Sequence, residues 1–415
     1  MAELDLVSFD AALKVHYTDQ RVKNLVYRNN PLLAAIPKYE FFGGKNLPIP
    51  IQTGVPQGRS ATFTDANNPA IQTAGNYEDF VLTRTRNYSV ATIDNETLEA
   101  SVGRANAFME AAASEIDGAL RSLTQDLAGN MYRNELGVRG NIGAINPGPP
   151  VIITLSNPSD VVRFEVGMTL VAAPGANPGG ALLLGGASAS IVAINRDNGT
   201  FEVSNAAWAA LPVGAALIQI GDAQDGGPAP LKMAGLEGWL PATPPALGDS
   251  FFTVDRGTDP SRLAVQRYDG TAETIEEAII GAGALLFREG GRPDIVFMNP
   301  LSYSELIKSL GSKVIYDVVR SSDVAEVFFD SVRVYTPSGQ VSVVADPNCP
   351  TGVAYLMQMD TWKLYSLGMA PKILMSDGLR FLRTTDADAV TVRCGYYSQI
   401  GCTAPGWNAR IAIAS

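Results

Sequence analysis

Histidine occurs once in the 415 residues and cysteine three times, and nowhere do about eighteen apolar residues run together, the length that spans a bilayer. A nucleophile–histidine–acid relay needs an imidazole beside the nucleophile, and the lone His16, between Val15 and Tyr17, reads as structural. Cys349, Cys394 and Cys402 form no Cys-x-x-Cys pair, which excludes a disulfide framework and a four-cysteine zinc site and fits a reducing place of synthesis. Net positive charge is lacking too: 31 Lys+Arg against 42 Asp+Glu give −11, so contact with nucleic acid is expected to be weak and local. The acidic start, Met1 to Asp10, is not the basic opening of a signal peptide. No Gly-Lys-Ser/Thr phosphate loop occurs, and Gly281-x-Gly283 falls inside a helical pattern. Asp222-Ala223-Gln224-Asp225-Gly226-Gly227 lacks the alternating ligands of a calcium loop and reads as a turn. The resulting expectation is no enzyme, no metal and no cofactor.

What is there is globular: 46% hydrophobic and 18% charged residues, on a chain long enough for two to four domains. Residues 1–45, broken by Asn29-Asn30-Pro31 and Gly43-Gly44, read as an arm. Residues 46–93 hold three β-like runs, Leu47–Ile51, Ser60–Thr64 and Phe80–Ile93, on long polar connections, the pattern of an extended hairpin loop. In the last run Phe80, Leu82, Tyr88 and Val90 share a parity with Arg84 and Arg86. One face is then apolar at its ends and cationic at its middle, suited to an acidic neighbour. Asp94, Glu96 and Glu99 read as first-turn charges of a short helix rather than as an acid/base pair.

Phe108, Ala112, Ile116, Leu120, Leu123, Leu127 and Met131 step by three and four, which predicts one helix over 104–132. Gly118 inside it costs about 1 kcal/mol against alanine, which points to a close backbone approach there. Residues 146–235 are poor in charge and rich in Gly, Pro and Ala, and read as an inserted β domain. A faint repeat, Phe164–Val171 against Leu211–Ile218 with Gly167 and Gly214 in register, fits a small barrel. Beyond Pro241–Leu247 an α/β pattern follows: a helix over Thr271–Glu289, a buried strand at Asp294–Asn299, a helix opened by Ser302 and Glu305 and running to Leu310, then strands at Val332–Tyr335, Val341–Val344, Ala354–Gln358, Trp362–Tyr365, Ala389–Tyr397 and Ala409–Ala414. Trp239, Trp362 and Trp407 read as core or interface.

Gly54-Val55-Pro56-Gln57-Gly58-Arg59-Ser60-Ala61-x-Phe63, then Tyr88-x-x-Ala91-Thr92-Ile93-Asp94-Asn95-Glu96-Thr97 before the long helix, resembles the major capsid proteins of tailed bacteriophages with the Hong Kong 97-like fold. Pro293-Asp294-Ile295-Val296-Phe297-Met298-Asn299-Pro300-x-x-Tyr303-x-x-Leu306 is similar to the axial-domain strand and helix of that family. The resemblance implies an α+β fold: 1–45 an N-arm, 46–93 an E-loop, 94–145 the peripheral domain with its spine helix, 146–235 an inserted all-β barrel-like domain, and 236–415 the axial domain plus returning peripheral strands. It implies a coat protein that self-assembles into hexamers and pentamers of an icosahedral head around double-stranded DNA. The implied partners are other copies, a separate scaffolding protein, a portal and a decoration protein, with no membrane, and the implied locations are the bacterial cytoplasm for synthesis and the virion thereafter. Some relatives crosslink a loop lysine to a neighbour's asparagine; here Lys45 sits at the loop base and the tip carries Arg59. Non-covalent contacts between subunits through Arg59, Arg84, Arg86, Phe63 and Tyr88 are the expectation instead. The rival reading is a virion-associated receptor- or glycan-binding β protein, which requires exposed aromatic platforms where 146–235 offers Phe164, Phe201 and Trp208.

Overall fold

The computed structural model describes residues 30–70, 72, 74–94, 105–227, 230–310, 316–320, 328–368, 371–375, 381–383 and 388–414. His16, Glu96, Glu99 and most of the N-terminal arm lie outside them.

The chain enters through a helical turn, α1 (Pro31–Ala35), and a short strand, β1 (Lys38–Tyr39). It then forms the hairpin of β2 (Asn46–Gly54) and β3 (Asn76–Thr83), with the one-turn α2 (Phe63–Ala66) near its tip, followed by β4 (Thr85–Asp94). Two expectations for this stretch change. Ser60–Thr64 is not a strand, because the Thr62 side chain accepts from Asp65 N and starts α2. Phe80–Ile93 is two strands broken at Arg84, because β3 pairs with β2 while β4 crosses to a different sheet. Parity flips at the break: Phe80 and Leu82 face inward from β3, but Asn87, Ala91 and Ile93 do so from β4, which turns Tyr88 and Val90 outward.

The long helix α3 spans Ala105–Asn130, close to its predicted bounds. Ile116, Leu120, Leu123 and Leu127 are buried on one face, against β4 and the long late strand described below. No described atom lies within 4 Å of a Cβ built on Gly118, so the close approach expected there is not made among the described residues.

Six strands close into a barrel: β5 (Val138–Asn146), β6 (Val151–Leu155), β7 (Thr169–Ala173), β8 (Ala189–Asn195), β9 (Thr200–Val203) and β10 (Ala216–Gln219), in the order β10-β5-β6-β9-β8-β7. Its first strand begins at Val138, upstream of the expected residue 146. Exchanging β5, β6, β7 with β8, β9, β10 reverses this order and leaves the ring unchanged, so the barrel is two-fold pseudosymmetric. The hydrogen bonds repeat with it. Gly167 N donates to Ile191 O and Gly214 N to Ile142 O; Ile191 N donates to Met168 O and Ile142 N to Ala215 O. Gly167 and Gly214 share φ +86°, and Asn157 and Asn205 each cap a 3-10 turn in the same connection, just upstream of the glycine. The faint repeat in the sequence is this symmetry. The interior is packed: the rings of Phe164 and Phe201 stack at 5.1 Å beside Trp208 and Leu217.

The rest of the chain holds α4 (Leu236–Trp239), β11 (Ser250–Phe251), β12 (Val254–Asp255), β13 (Gln266–Gly270), α5 (Ile275–Arg288), β14 (Ile295–Met298), α6 (Pro300–Leu310), β15 (Tyr316–Arg320), β16 (Phe328–Thr336), β17 (Gly339–Ala345), β18 (Val353–Met357), and finally β23 (Ala409–Ile413). A mixed sheet runs β13-β23-β18-β14-β17-β16-β15. Every residue of β14 is buried: Val296 and Met298 face α5 and α6, whereas Ile295 and Phe297 face the central core. A capping box between Thr274 and Glu277 starts α5. The Ser302 cap expected for α6 is displaced: the helix starts at Pro300, Asn299 Oδ1 accepts from Leu301 N, and Ser302 is buried a turn inside.

Between β18 and β23 the chain supplies a second sheet, with β19 (Trp362–Ser366), β20 (Lys372–Ile373), β21 (Phe381–Arg383) and the long β22 (Ala389–Cys402), which pairs along its length with β4. Trp239 centres the shared core, with Phe80 at 5.0 Å, Phe251 at 5.1 Å and Trp362 at 6.2 Å, its Nε1 donating to Ile400 O. Trp239 and Trp362 take the core half of their reading, and Trp407 is 41% exposed. Among the described residues no helix is long and apolar enough to cross a membrane.

Candidate assembly surfaces

The base of the β2–β3 loop belongs to the monomer's core: Ile49, Ile51, Phe80 and Leu82 are buried. A clamp from the β11–β12 turn holds its outer side, where Phe252 O accepts from Val81 N at 2.9 Å and Thr253 Oγ1 donates to Asp79 O at 2.9 Å. That turn places Phe252 at φ +46° and Thr253 at +77°, where hairpins normally use Asn-Gly. Each residue forgoes about 1–2 kcal/mol of backbone preference, offset by these bonds and by Phe252 lying 5.6 Å from the Trp239 ring. Because Val81 and Asp79 turn their backbone groups toward the clamp, their partners Pro48 and Pro50 face the opposite, open edge. Neither proline carries an N–H, so that edge resists extension by a further strand.

Beyond the base, the tip is exposed. Arg59 sits there with Phe63, 85% exposed on α2, and Tyr77 and Val55 are exposed nearby. Arg84 is used within the chain: Nη1 donates to Phe42 O at 2.8 Å and Gly44 O at 3.2 Å, with the guanidinium over the Phe42 ring. Arg86 and Tyr88 lie on the outward face of β4. Tyr88 meets Tyr397 edge-on, ring centres 5.8 Å apart, above Gly395, which a Cβ would bring within 3.3 Å of the Tyr88 ring. The hydrogen bond to Tyr88 pushes the Tyr397 phenol up, while Arg86 and Arg84 pull it down. The five residues singled out from sequence thus occupy a loop tip, an internal crossover and a sheet face.

Two buried polar centres gave no sequence signal. In the first, Asp346 accepts from Leu32 N at 3.1 Å, Tyr132 Oη at 2.9 Å and Asn348 N at 2.8 Å, joining α1, the end of α3 and the turn after β17. Burial raises its carboxyl above the usual range despite these donors. In the second, at the barrel's neck, Lys232 Nζ contacts Asp126 at 2.9 Å, Asp222 at 3.0 Å and Asn87 Oδ1 at 3.0 Å, and Arg139 pairs with the same two carboxylates. Asp222, read as part of a plain turn, is an ion-pair acceptor there, its carboxyl raised by burial and pulled back by Lys232. Beside this network Arg133 and Arg163 share Asp160, and burial lowers Arg163 to about 10. These groups border a cavity of about 530 Å³ between α3, the barrel and β4.

This architecture recurs in a solved capsid. Over 92% of both chains the protein superposes on the chain of a cyanophage A-1(L) capsid asymmetric unit, with a TM-score of 0.52 at 13% identity. Weaker likenesses are to a Mycobacterium phage Ogopogo chain, 10% identical with a TM-score of 0.41 over 93% of both chains, and to the capsid of a native GTA particle, 8% identical with a TM-score of 0.45 over 92% of this chain and 91% of that one. No curated protein matches the sequence. Residues 212–389 match the family model of the SU10 major capsid protein. The chain therefore has the Hong Kong 97-like fold of tailed-phage capsid proteins and, over 212–389, the sequence pattern of the SU10 major capsid family.

Proposed function

We propose that the protein is the major capsid protein of a tailed phage, many copies of which close as hexamers and pentamers into an icosahedral head around double-stranded DNA. The observation that carries this reading is an E-loop whose base is clamped into the core while its tip, with Phe63, is left uncovered by the described residues. A rigid, uncovered protrusion gains burial only against another copy, and a head-to-tail contact of that kind repeats into rings. Arg59 and Phe63 at the tip, and Arg86 and Tyr88 on the peripheral sheet, are the contacts between subunits in this reading, with Arg84 setting the crossover that orients them. A scaffolding protein, a portal and a decoration protein are its further partners, DNA is contacted non-specifically, and the virion is its final location. The receptor- or glycan-binding alternative loses its aromatic platform, since Phe164, Phe201 and Trp208 are all buried inside the barrel.

Electron microscopy of the purified full chain at rising concentration, alone and with a candidate scaffolding protein, tests the proposal. Rings or closed shells support it, and a chain that stays monomeric under both conditions overturns it. Arg86→Glu should lower assembly while leaving the circular dichroism spectrum unchanged.

A further inference from the structure

The cavity at the barrel's neck has an electrostatic and a steric peculiarity. Five cationic side chains border it, Arg121, Arg133, Arg139, Arg163 and Lys232, against three carboxylates, in a chain whose net charge is −11. Lys232 and Arg139 are balanced by Asp126 and Asp222, and Glu165 is held by Arg196. Arg133 and Arg163 divide a single carboxylate, Asp160, and Arg121 makes no ion pair among the described residues. Positive charge is thus in excess beside a cleft whose one wall is a helix face made of Gly118, Ser122, Gln125 and Gly129. These positions fall within about 60° of one another around α3, opposite its buried face. Nothing described lies within 4 Å of a Cβ on Gly118 or Gly129, although each glycine costs the helix about 1 kcal/mol. Among the described residues, nothing fills the space beside these two glycines.

We propose that this cavity is a socket for a carboxylate-bearing segment of a second copy of the chain, seated on the glycine-lined face of α3 and held by the unbalanced guanidinium groups. The proposal rests on the shell reading, which brings copies into repeated contact. Any second copy carries a large negative excess, and a planar guanidinium pairs a carboxylate with two parallel hydrogen bonds. Duplex DNA, whose major groove alone is about 12 Å wide, is too broad to enter a cavity of about 530 Å³.

The test uses the full-length chain with Gly118→Leu, which adds bulk to the cleft from a Cβ position with no described atom within 4 Å, and separately Arg121→Glu on the exposed side of α3. Thermal unfolding of the unassembled chain and the concentration at which rings or shells appear, by sedimentation velocity and microscopy, are read for each. The expected result is an unchanged or raised unfolding temperature with about a tenfold higher assembly concentration. Variants that assemble at the wild-type concentration overturn the socket while leaving the shell reading intact. A wild-type chain that never assembles overturns both. Inorganic phosphate that raises the unfolding temperature above a chloride control of equal ionic strength, without shifting assembly, marks a free-anion site and also overturns the proposal.

Discussion

Replacing Asp346 with alanine should release the point at which the N-terminal arm leaves the body. Its carboxylate is the acceptor for Leu32 N, Tyr132 Oη and Asn348 N, all in a site where water cannot substitute, since Asp346 is 1% exposed. An unsatisfied buried donor costs about 1–3 kcal/mol, so three of them sum to about 3–5 kcal/mol after partial relaxation. Part of the loss is local. Backbone bonds from Ala34 N to Asn30 O and from Ile36 N to Leu32 O bracket α1 at its two ends, and a five-residue helix has no stability of its own. If α1 opens about 3 kcal/mol more easily, its amides exchange about a hundredfold faster. Hydrogen exchange read by mass spectrometry on peptides covering 30–36, with β14 as the slow internal reference, measures this directly. Unchanged exchange in a folded Asp346→Ala chain would refute the reasoning. A pH dependence follows as well. Burial lifts the folded carboxyl above its ordinary 3.8, so between that value and the folded one the folded state holds the extra proton. Stability therefore falls as pH rises through this window, and Asp346→Asn should flatten that slope.

Lys232→Met leaves Asp126 and Asp222 with Arg139 alone, and the loss of one partner from a buried ionic group is worth about 3–5 kcal/mol; calorimetry should show the barrel unfolding earlier than the rest. Gly167→Ala and Gly214→Ala should each cost about 1–2 kcal/mol, and nearly equally, because both sit at φ +86° with nothing near a Cβ; unequal losses in denaturant unfolding would contradict the barrel's symmetry. The three thiols should resist a disulfide reagent until the chain unfolds, since burial pushes Cys394 up to about 11, Cys402 to about 12 and Cys349 well above its usual value. Phe252→Asn combined with Thr253→Gly should relax the turn yet speed exchange in β3, because the Asp79 bond and the ring against Trp239 are lost together.

Period and repetition made parts of this fold readable. The apolar face of α3 repeats locally, so its length and orientation follow from spacing alone, and the barrel's symmetry survives as two hydrophobic-Val-Gly runs because both turns need positive φ at the same place. The E-loop's strand break was not readable. Parity counting assumes one sheet, and nothing within 80–93 announces that the chain changes sheets at Arg84. The barrel's first strand was hidden by a similar effect, since Val138–Asn146 follows the helical segment after one short turn region and carries its charged residue, Arg139, for the neck network. That network draws on Asn87, Asp126, Arg139, Asp222 and Lys232, which no short-range pattern connects. The same holds for Asp346 and its distant donors. The assembly candidates were legible as exposed or amphipathic types, but Arg84's internal role depended on two carbonyls about 40 residues upstream.

The neck has a consequence for the barrel's history. β5 and β10 are neighbours, with Val138 opposite Ile218, so the chain enters and leaves the module at one place. Both crossings are then tied to the same stretch of α3, the outgoing one through Lys232 and Asp126, the incoming one through Arg139 and Asp126. A module attached in this way resembles a plug with both pins in one receptacle. An insertion in the turns farthest from the neck is therefore expected to leave α3 and the seven-stranded sheet in place, which makes those turns the positions at which to add new sequence.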